Sequence, residues 1–353
     1  MQKKMRGSQN LLLIVIILIG AIFRFGWHGV HSFSFDEARV SQIALKMVYE
    51  GEFARLGMQS SVGVPNFPAT VWLYAIPYAI FGPNVQTATW FTGFVSLLAI
   101  PAVYQLGRWR WGNWGGLSAA ALFALSPFML VYGRNIWSQN FLAPLTVFWL
   151  YAGYRGILPL VTPHPPAAQG PSPLGRGETR AGVENSSLFA ESLFPSPLGR
   201  RWAAGPDEGM IALAIFIFLS GFIGQVHIAG LAMVLPNAYI FFRFKLWRRI
   251  WPVIIGGMAA AICAFPALYT IWRFGDGARA DLDATLAEPS VWHHEVWRMM
   301  VQLPLNNGWE FVWLGRNYEW PRWLGAAADQ AFALLAIMLI LAFVLIIQQI
   351  VRW

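Results

Sequence analysis

"PATVWLYAIPYAIF", residues 68–81, is the stretch whose reading decides the topology. It is apolar enough to enter a bilayer. As a helix it reaches only about 21 Å at 1.5 Å per residue, against a hydrocarbon core of about 30 Å. Read as an interfacial or re-entrant helix, it returns the chain to the side it came from. Trp72, Tyr74 and Tyr78 suit an interface, where amphipathic rings gather. Read as a span, it would invert everything after it and carry "GRWRWG", residues 107–112, to the opposite side.

The interfacial reading is the one that orders the charges. Outward from it, apolar runs at about 11–27, 86–106, 114–132, 139–155, 210–226, 228–242, 251–271 and 330–348 read as spans. Lys3, Lys4 and Arg6 then share a side with Arg108 and Arg110, with Arg155, and with Arg243, Lys245, Arg248 and Arg249 of "FRFKLWRRIW". Arg352 ends the chain on that side too. Outside 157–208, every Asp and Glu falls on the other. Lys and Arg mark the cytoplasmic face, so both termini are expected inside a plasma membrane crossed several times. The expected fold is all-α, a transmembrane bundle of about eight spans with interfacial helices on the outer face.

Composition agrees. Hydrophobic residues are 57% and charged residues 12%, where soluble domains run nearer 45–50% apolar. The run from Leu11 to Trp27 follows basic residues as a signal peptide would, but no small-residue cleavage site follows it, so it reads as a retained anchor. The lone Cys263 excludes a disulfide framework and a thiolate metal cluster. A net charge of +8 could suggest nucleic acid. Its distribution points to membrane lipids instead, with no nucleic-acid partner.

Three regions follow: 1–156, with an outer loop at 28–85; 157–208; and 209–353, with an outer loop at 273–325. The middle one is rich in Pro, Gly, Ser and Arg, and repeats "PSPLGRG" at 171 as "PSPLGRR" at 195. It reads as a flexible cytosolic insertion that buries no apolar face.

"FSFDEARV", residues 33–40, places Asp36 and Glu37 just after the first span. They could open a helix capped by Ser34, where acids favour the N-terminal dipole. They could also be a water-accessible acid pair at a lipid surface. Acids near spans are commonly functional or paired.

The order of motifs resembles the GT-C class of membrane glycosyltransferases, in the bacterial branch related to protein O-mannosyltransferases and lipid A aminoarabinose transferases. "DEARVSQIALKMVYEG" is similar to that family's first outer loop. "NFP", residues 66–68, stands where the family usually has "HPP" or "KPP". "GGLSAAALFALSPFMLVYGR" and "GFIGQVHIAGLAMVLP" are similar to two later stretches. The resemblance covers about 1–156 and 209–270. Many members carry a second acid five residues after the arginine; Gln139 stands there in this chain.

The resemblance implies transfer of a sugar from a polyprenyl-phosphate donor to a lipid, glycan or protein acceptor on the outer face. It implies a hexosyl or pentosyl transferase of inverting type. Asp36 would be the general base, and Glu37 would orient Asp36 or the sugar. Arg134, then Arg39, would meet the donor phosphate through the planar guanidinium fork. Asn66, Gln139 and His227 are candidate substrate-binding residues. No cofactor is expected. A divalent metal stays unassigned, because His293, His294 and Glu295 of "VWHHEVW" point apart on a helix. Six tryptophans between Trp292 and Trp323 read first as a membrane belt and second as a sugar-binding loop. Two rival readings stay open: a transporter, and an inactive or truncated remnant of a transferase, since relatives continue past the eighth span.

Overall fold

The computed structural model describes residues 2–26, 33–59, 65–161 and 206–275. Its helices are α1 (Gln2–Phe25), α2 (Phe35–Tyr49), α3 (Ala69–Phe81), α4 (Val85–Leu125), α5 (Pro127–Tyr132), α6 (Leu142–Val161), α7 (Pro206–Val226), α8 (Val234–Arg243) and α9 (Ile250–Phe274). Short 3₁₀ segments lie at Ser138–Phe141, Ile228–Met233 and Leu246–Arg248. Among the described residues there is no strand beyond one isolated bridge, Gln59 to Pro65. Five stretches are long and apolar enough to cross a bilayer: Ser8–Phe25, Val85–Leu125, Ser138–Leu160, Gly209–Val226 and Ile250–Phe274. The protein is an all-helical, multi-pass membrane protein.

The long α4 contains two of the expected spans, folded back on each other. Gly112 carries φ 75 and ψ −174 inside it, a conformation that only glycine adopts without strain. The limbs on either side touch. A Cβ on Gly116 would lie 2.6 Å from the Tyr104 carbonyl oxygen, so only glycine allows that approach. Ile100, Tyr104, Leu117, Ala120 and Ala124 close the hairpin core. The second limb stops at Leu125 and not at 132, because Ser126 leaves the helical region and Pro127 opens α5. Proline lacks the N–H that would continue the ladder.

Helix α1 lies along this hairpin. Asn113 at the bend donates to Gln9 near the start of α1, while Arg24 reaches the carbonyls of Phe123 and Ala124 at the far end. Helix α4 then packs on α6, α6 on α7, and α7 on α9. Trp109, beside the bend, stacks on Tyr151 and Tyr154 of α6 at 5.4 and 4.0 Å. Leu246, after α8, is buried against Trp149 and Ile157 of α6. The basic turns at 108–110, 155 and 243–249 therefore share one end of the bundle. The expected span at 330–348, nearly all of the outer loop at 273–325 and most of the insertion lie outside the described residues. Helix α6 runs to Val161 and α7 starts at Pro206, so both helices continue into the stretch assigned to the insertion.

One expectation needs refinement and another correction. The span expected at 228–242 is a 3₁₀ segment followed by the ten residues of α8. His227 accepts the Ala229 N–H at 3.1 Å, and Gly230 packs so tightly on Ile223 that a Cβ would sit 2.4 Å from its carbonyl oxygen. The chain therefore leaves α7 through a tight turn and runs back along it, past Ser220 at Asn237, to Leu246 in the core beside Ile157, so this short segment still crosses the bundle. The correction concerns α3. It is short, as expected, but Tyr74 and Tyr78 are 0% exposed. They face the protein and not a lipid interface, because both hydroxyls find partners there.

Candidate functional site

The end opposite the basic turns is organised around α3. A single apolar cluster joins Val40 and Ala44 of α2, Val71, Tyr74 and Tyr78 of α3, Ile136 and Phe141 after α5, and Val226 ending α7. Hydrogen bonds tie these elements together. Tyr78 donates to Ser41 Oγ at 2.8 Å, linking α3 to α2. The Tyr74 hydroxyl accepts the Trp137 N–H at 2.9 Å and meets Thr92 Oγ1 of α4 at 3.1 Å. Thr70 donates to the Val226 carbonyl at 2.7 Å. Burial is the main reason the Tyr74 phenol is pushed up in pKa, so it stays a neutral donor and acceptor.

The two acids have divided roles. Glu37 occupies the third position of α2, is 4% exposed, and turns back to accept the Ser34 backbone N–H at 2.9 Å. The Ser34 hydroxyl donates to the same carboxylate oxygen. This is the glutamate half of a capping box, which satisfies an otherwise orphan donor at the helix start. Asp36, one residue earlier, is half-buried and makes no hydrogen bond or ion pair with another described residue. The neighbouring carboxylates therefore differ: one is committed to the fold and the other is available.

Arg39 lies one helical turn from Asp36 on the exposed side, its guanidinium 5.8 Å from the Phe35 ring centre. With Phe35, Ala38 and Gln42 it lines an open hollow of about 430 Å³. Arg134 sits elsewhere, donating to the carbonyls of Phe23 at 2.7 Å and Gly26 at 2.9 Å. It thus closes the C-terminal end of α1, where the helix dipole favours a cation. Burial lowers its pKa, but an arginine stays charged. Asn66 pins a turn, its side chain donating to the Met58 carbonyl at 3.0 Å while its carbonyl accepts from Gly57 at 2.7 Å.

Gln139 and His227 are brought together, 3.3 Å apart, from the turns before α6 and after α7. Since His227 Nδ1 accepts the Ala229 N–H, the neutral ring carries its proton on Nε2. The Gln139 amide must therefore offer its oxygen to that proton. Burial lowers the pKa of His227, which favours the neutral form. Where a second acid would place negative charge, this chain places an uncharged pair. No group of three or more His, Cys, Asp or Glu that could hold a metal occurs among the described residues. His293, His294, Glu295 and the tryptophan-rich loop lie outside them.

Sequence reading passed over Arg24. It is 2% exposed within the first span. It donates to Ser96 Oγ at 3.1 Å and to the carbonyls of Gly20 at 3.1 Å and Ala124 at 2.9 Å. No carboxylate neutralises it among the described residues. Gly133 packs against it, with a would-be Cβ 3.6 Å from Arg24 Nε. The residue before Arg134 thus rests on a second guanidinium. A lone cation inside an apolar run was the signal available, because such residues are rare in spans without a purpose.

Three comparisons bear on this geometry. No curated protein matches the chain. The crystal structure of ArnT from Cupriavidus metallidurans bound to undecaprenyl phosphate is similar at 16% identity and a TM-score of 0.46, over 77% of this chain and 42% of that one. The chain therefore spans less than half the length of that protein. Residues 64–158, which hold α3, the α4 hairpin, Arg134 and most of α6, match the profile of the dolichyl-phosphate-mannose-protein mannosyltransferase family, the kinship to which the order of the sequence motifs points.

Proposed function

We propose that the protein is a membrane glycosyltransferase of the GT-C class. In this reading it moves a sugar from a polyprenyl-phosphate donor to an acceptor hydroxyl on the outer face. The observation that carries the reading is the division between Glu37 and Asp36 on a helix tied through α3 to the Arg134 turn. Glu37 anchors the start of α2. Asp36 is left with an unengaged, half-buried carboxylate at the positive end of that helix. The family match over 64–158 supports the reaction class, and the solved relative's undecaprenyl phosphate suggests the donor class.

The step would be a single inverting displacement. Asp36 takes the proton of the acceptor hydroxyl as its oxygen attacks the anomeric carbon. The bond from that carbon to the phosphate oxygen breaks, and its electron pair leaves with the lipid phosphate. Arg134 would meet that phosphate through the charge its guanidinium holds at the C-terminal end of α1. Arg39 would be a second cation at the rim of its hollow. Gln139 and His227 would offer hydrogen bonds to sugar hydroxyls without charge, and Asn66 would hold Gly57 and Met58 in place.

The test is transfer of a radiolabelled sugar from polyprenyl-phosphate donors, using membranes that contain the full chain. Asp36→Asn should lower turnover by about 10²–10⁴ while donor binding and thermal stability hold. Glu37→Gln should cost little, because glutamine also completes a capping box. Near-normal transfer by Asp36→Asn would remove Asp36 from the mechanism.

A further inference from the structure

The turn joining α8 to α9 has a chemistry that sugar transfer does not use. Four cations, Arg243, Lys245, Arg248 and Arg249, fall within seven residues. Lys245, Arg248 and Arg249 are exposed and form no ion pair with any described residue. Three aromatic rings share the turn and are also exposed: Phe242 at 66%, Trp247 at 44% and Trp251 at 68%. Trp247 leans on Phe241 and Phe242, with ring centres 5.9 and 5.8 Å away.

The turn is rigid. Leu246 is 0% exposed and pins it into the α6–α7 core. Arg248 N donates to the Lys245 carbonyl at 3.0 Å and Arg249 N to the Leu246 carbonyl at 2.8 Å. Lys245 has φ 52, the one positive φ outside glycine among the described residues. A left-handed lysine costs free energy, and here it reverses the chain so that Leu246 points in while its neighbours point out.

We propose that this turn is a docking surface for anionic phospholipid headgroups. The cations match phosphodiester oxygens, and the tryptophans match the headgroup depth where such rings settle. The exposed apolar side chains of α9, Ile250, Ile254, Ile255 and Met258, run on from the turn along a helix of spanning length. A lipid can therefore satisfy the basic rim and the apolar flank together. A nucleic acid or an acidic protein would leave the flank uncovered. Each cation near an anionic surface is worth about fivefold in affinity, so three give about a hundredfold.

The experiment measures binding of fluorescent phosphatidylglycerol and phosphatidylcholine to the purified full chain in neutral detergent. The expected result is a strong preference for phosphatidylglycerol. It should fall toward parity in K245Q/R248Q/R249Q and persist in K245R/R248K/R249K. It should also shrink in the wild-type protein between about 0.01 M and 1 M salt, as the screening length drops from about 30 Å to about 3 Å. This salt test needs no variant to fold. Equal binding of the two lipids, a preference untouched by the glutamines, or one indifferent to salt would each overturn the proposal. Displacement of phosphatidylglycerol by inorganic phosphate would show a simple anion site and overturn it as well.

Discussion

Two short apolar helices of this protein have opposite surroundings. Helix α3 and the segment 228–243 are both shorter than the helices of spanning length. Yet α3 buries seven residues, including two tyrosines, whereas α8 buries none. The difference lies in polar atoms at helical spacing. Tyr74 and Tyr78, four residues apart, aim their hydroxyls at the 135–137 turn and at Ser41. Helix α8 makes its polar contact through Asn237, whose side-chain oxygen accepts from Trp149 at 3.0 Å and from Ser220 at 2.8 Å. Its tyrosine, Tyr239, is 58% exposed. Where lipid is as apolar as protein, hydropathy does not attract one helix to another, and packing with hydrogen bonds decides which helix goes inside.

The strongest way to break this contrast is to delete each tyrosine. Tyr74→Ala should destabilise by about 3–5 kcal/mol, the range for emptying a large aromatic site. Tyr239→Ala should stay within about 0.5 kcal/mol, as for ordinary surface changes. Thermal unfolding in detergent reads both, and equal losses would erase the distinction. Tyr74→Phe keeps the ring and leaves the Trp137 N–H without its acceptor. It should cost about 1–3 kcal/mol, and a smaller loss would show that shape, not the hydroxyl, places α3.

Asn237→Leu should cost about 1 kcal/mol, near the usual worth of hydrogen bonds between helices in membranes. A loss as large as that of Tyr74→Ala would mean α8 is no peripheral element. The smallest expected effect is a pH dependence at the turn between α7 and α8. Burial lowers the pKa of His227, so the unfolded chain, near 6.5, takes up a proton first as pH falls. The stability from neutral His227 is therefore full above about pH 6.5 and is lost as pH falls toward the folded pKa. Between neutral and mildly acidic pH, the wild-type protein should lose more thermal stability than His227→Gln. Parallel losses would show that the ring is not held neutral.

Much of the bundle was legible beforehand because charge and hydropathy act locally. The first span, the 210–226 and 251–271 helices and the brevity of 68–81 follow from counting apolar residues against bilayer thickness. The hairpin at Gly112 was legible as two runs separated by "GRWRWG". The 3₁₀ start of the 228–242 segment was not, since its apolar count suits a plain helix while His227 and Gly230 act through atoms of α7. Asp36 and Glu37 were found as a pair, but their different roles depend on which side chain reaches Ser34. Arg24 was visible as a charge in a span, and its partners lie 72 and 100 residues away in sequence.

By itself the sequence determined a helical membrane protein, the charge difference between its loops and the acidic pair that begins α2. Those depend on composition and on periodicity within single segments. The tertiary structure alone decided that α3 lies inside and α8 outside, that Glu37 is committed and Asp36 is not, and that Gln139 faces His227. Each of these turns on whether a polar atom finds a partner contributed by another helix, and no single segment carries that information.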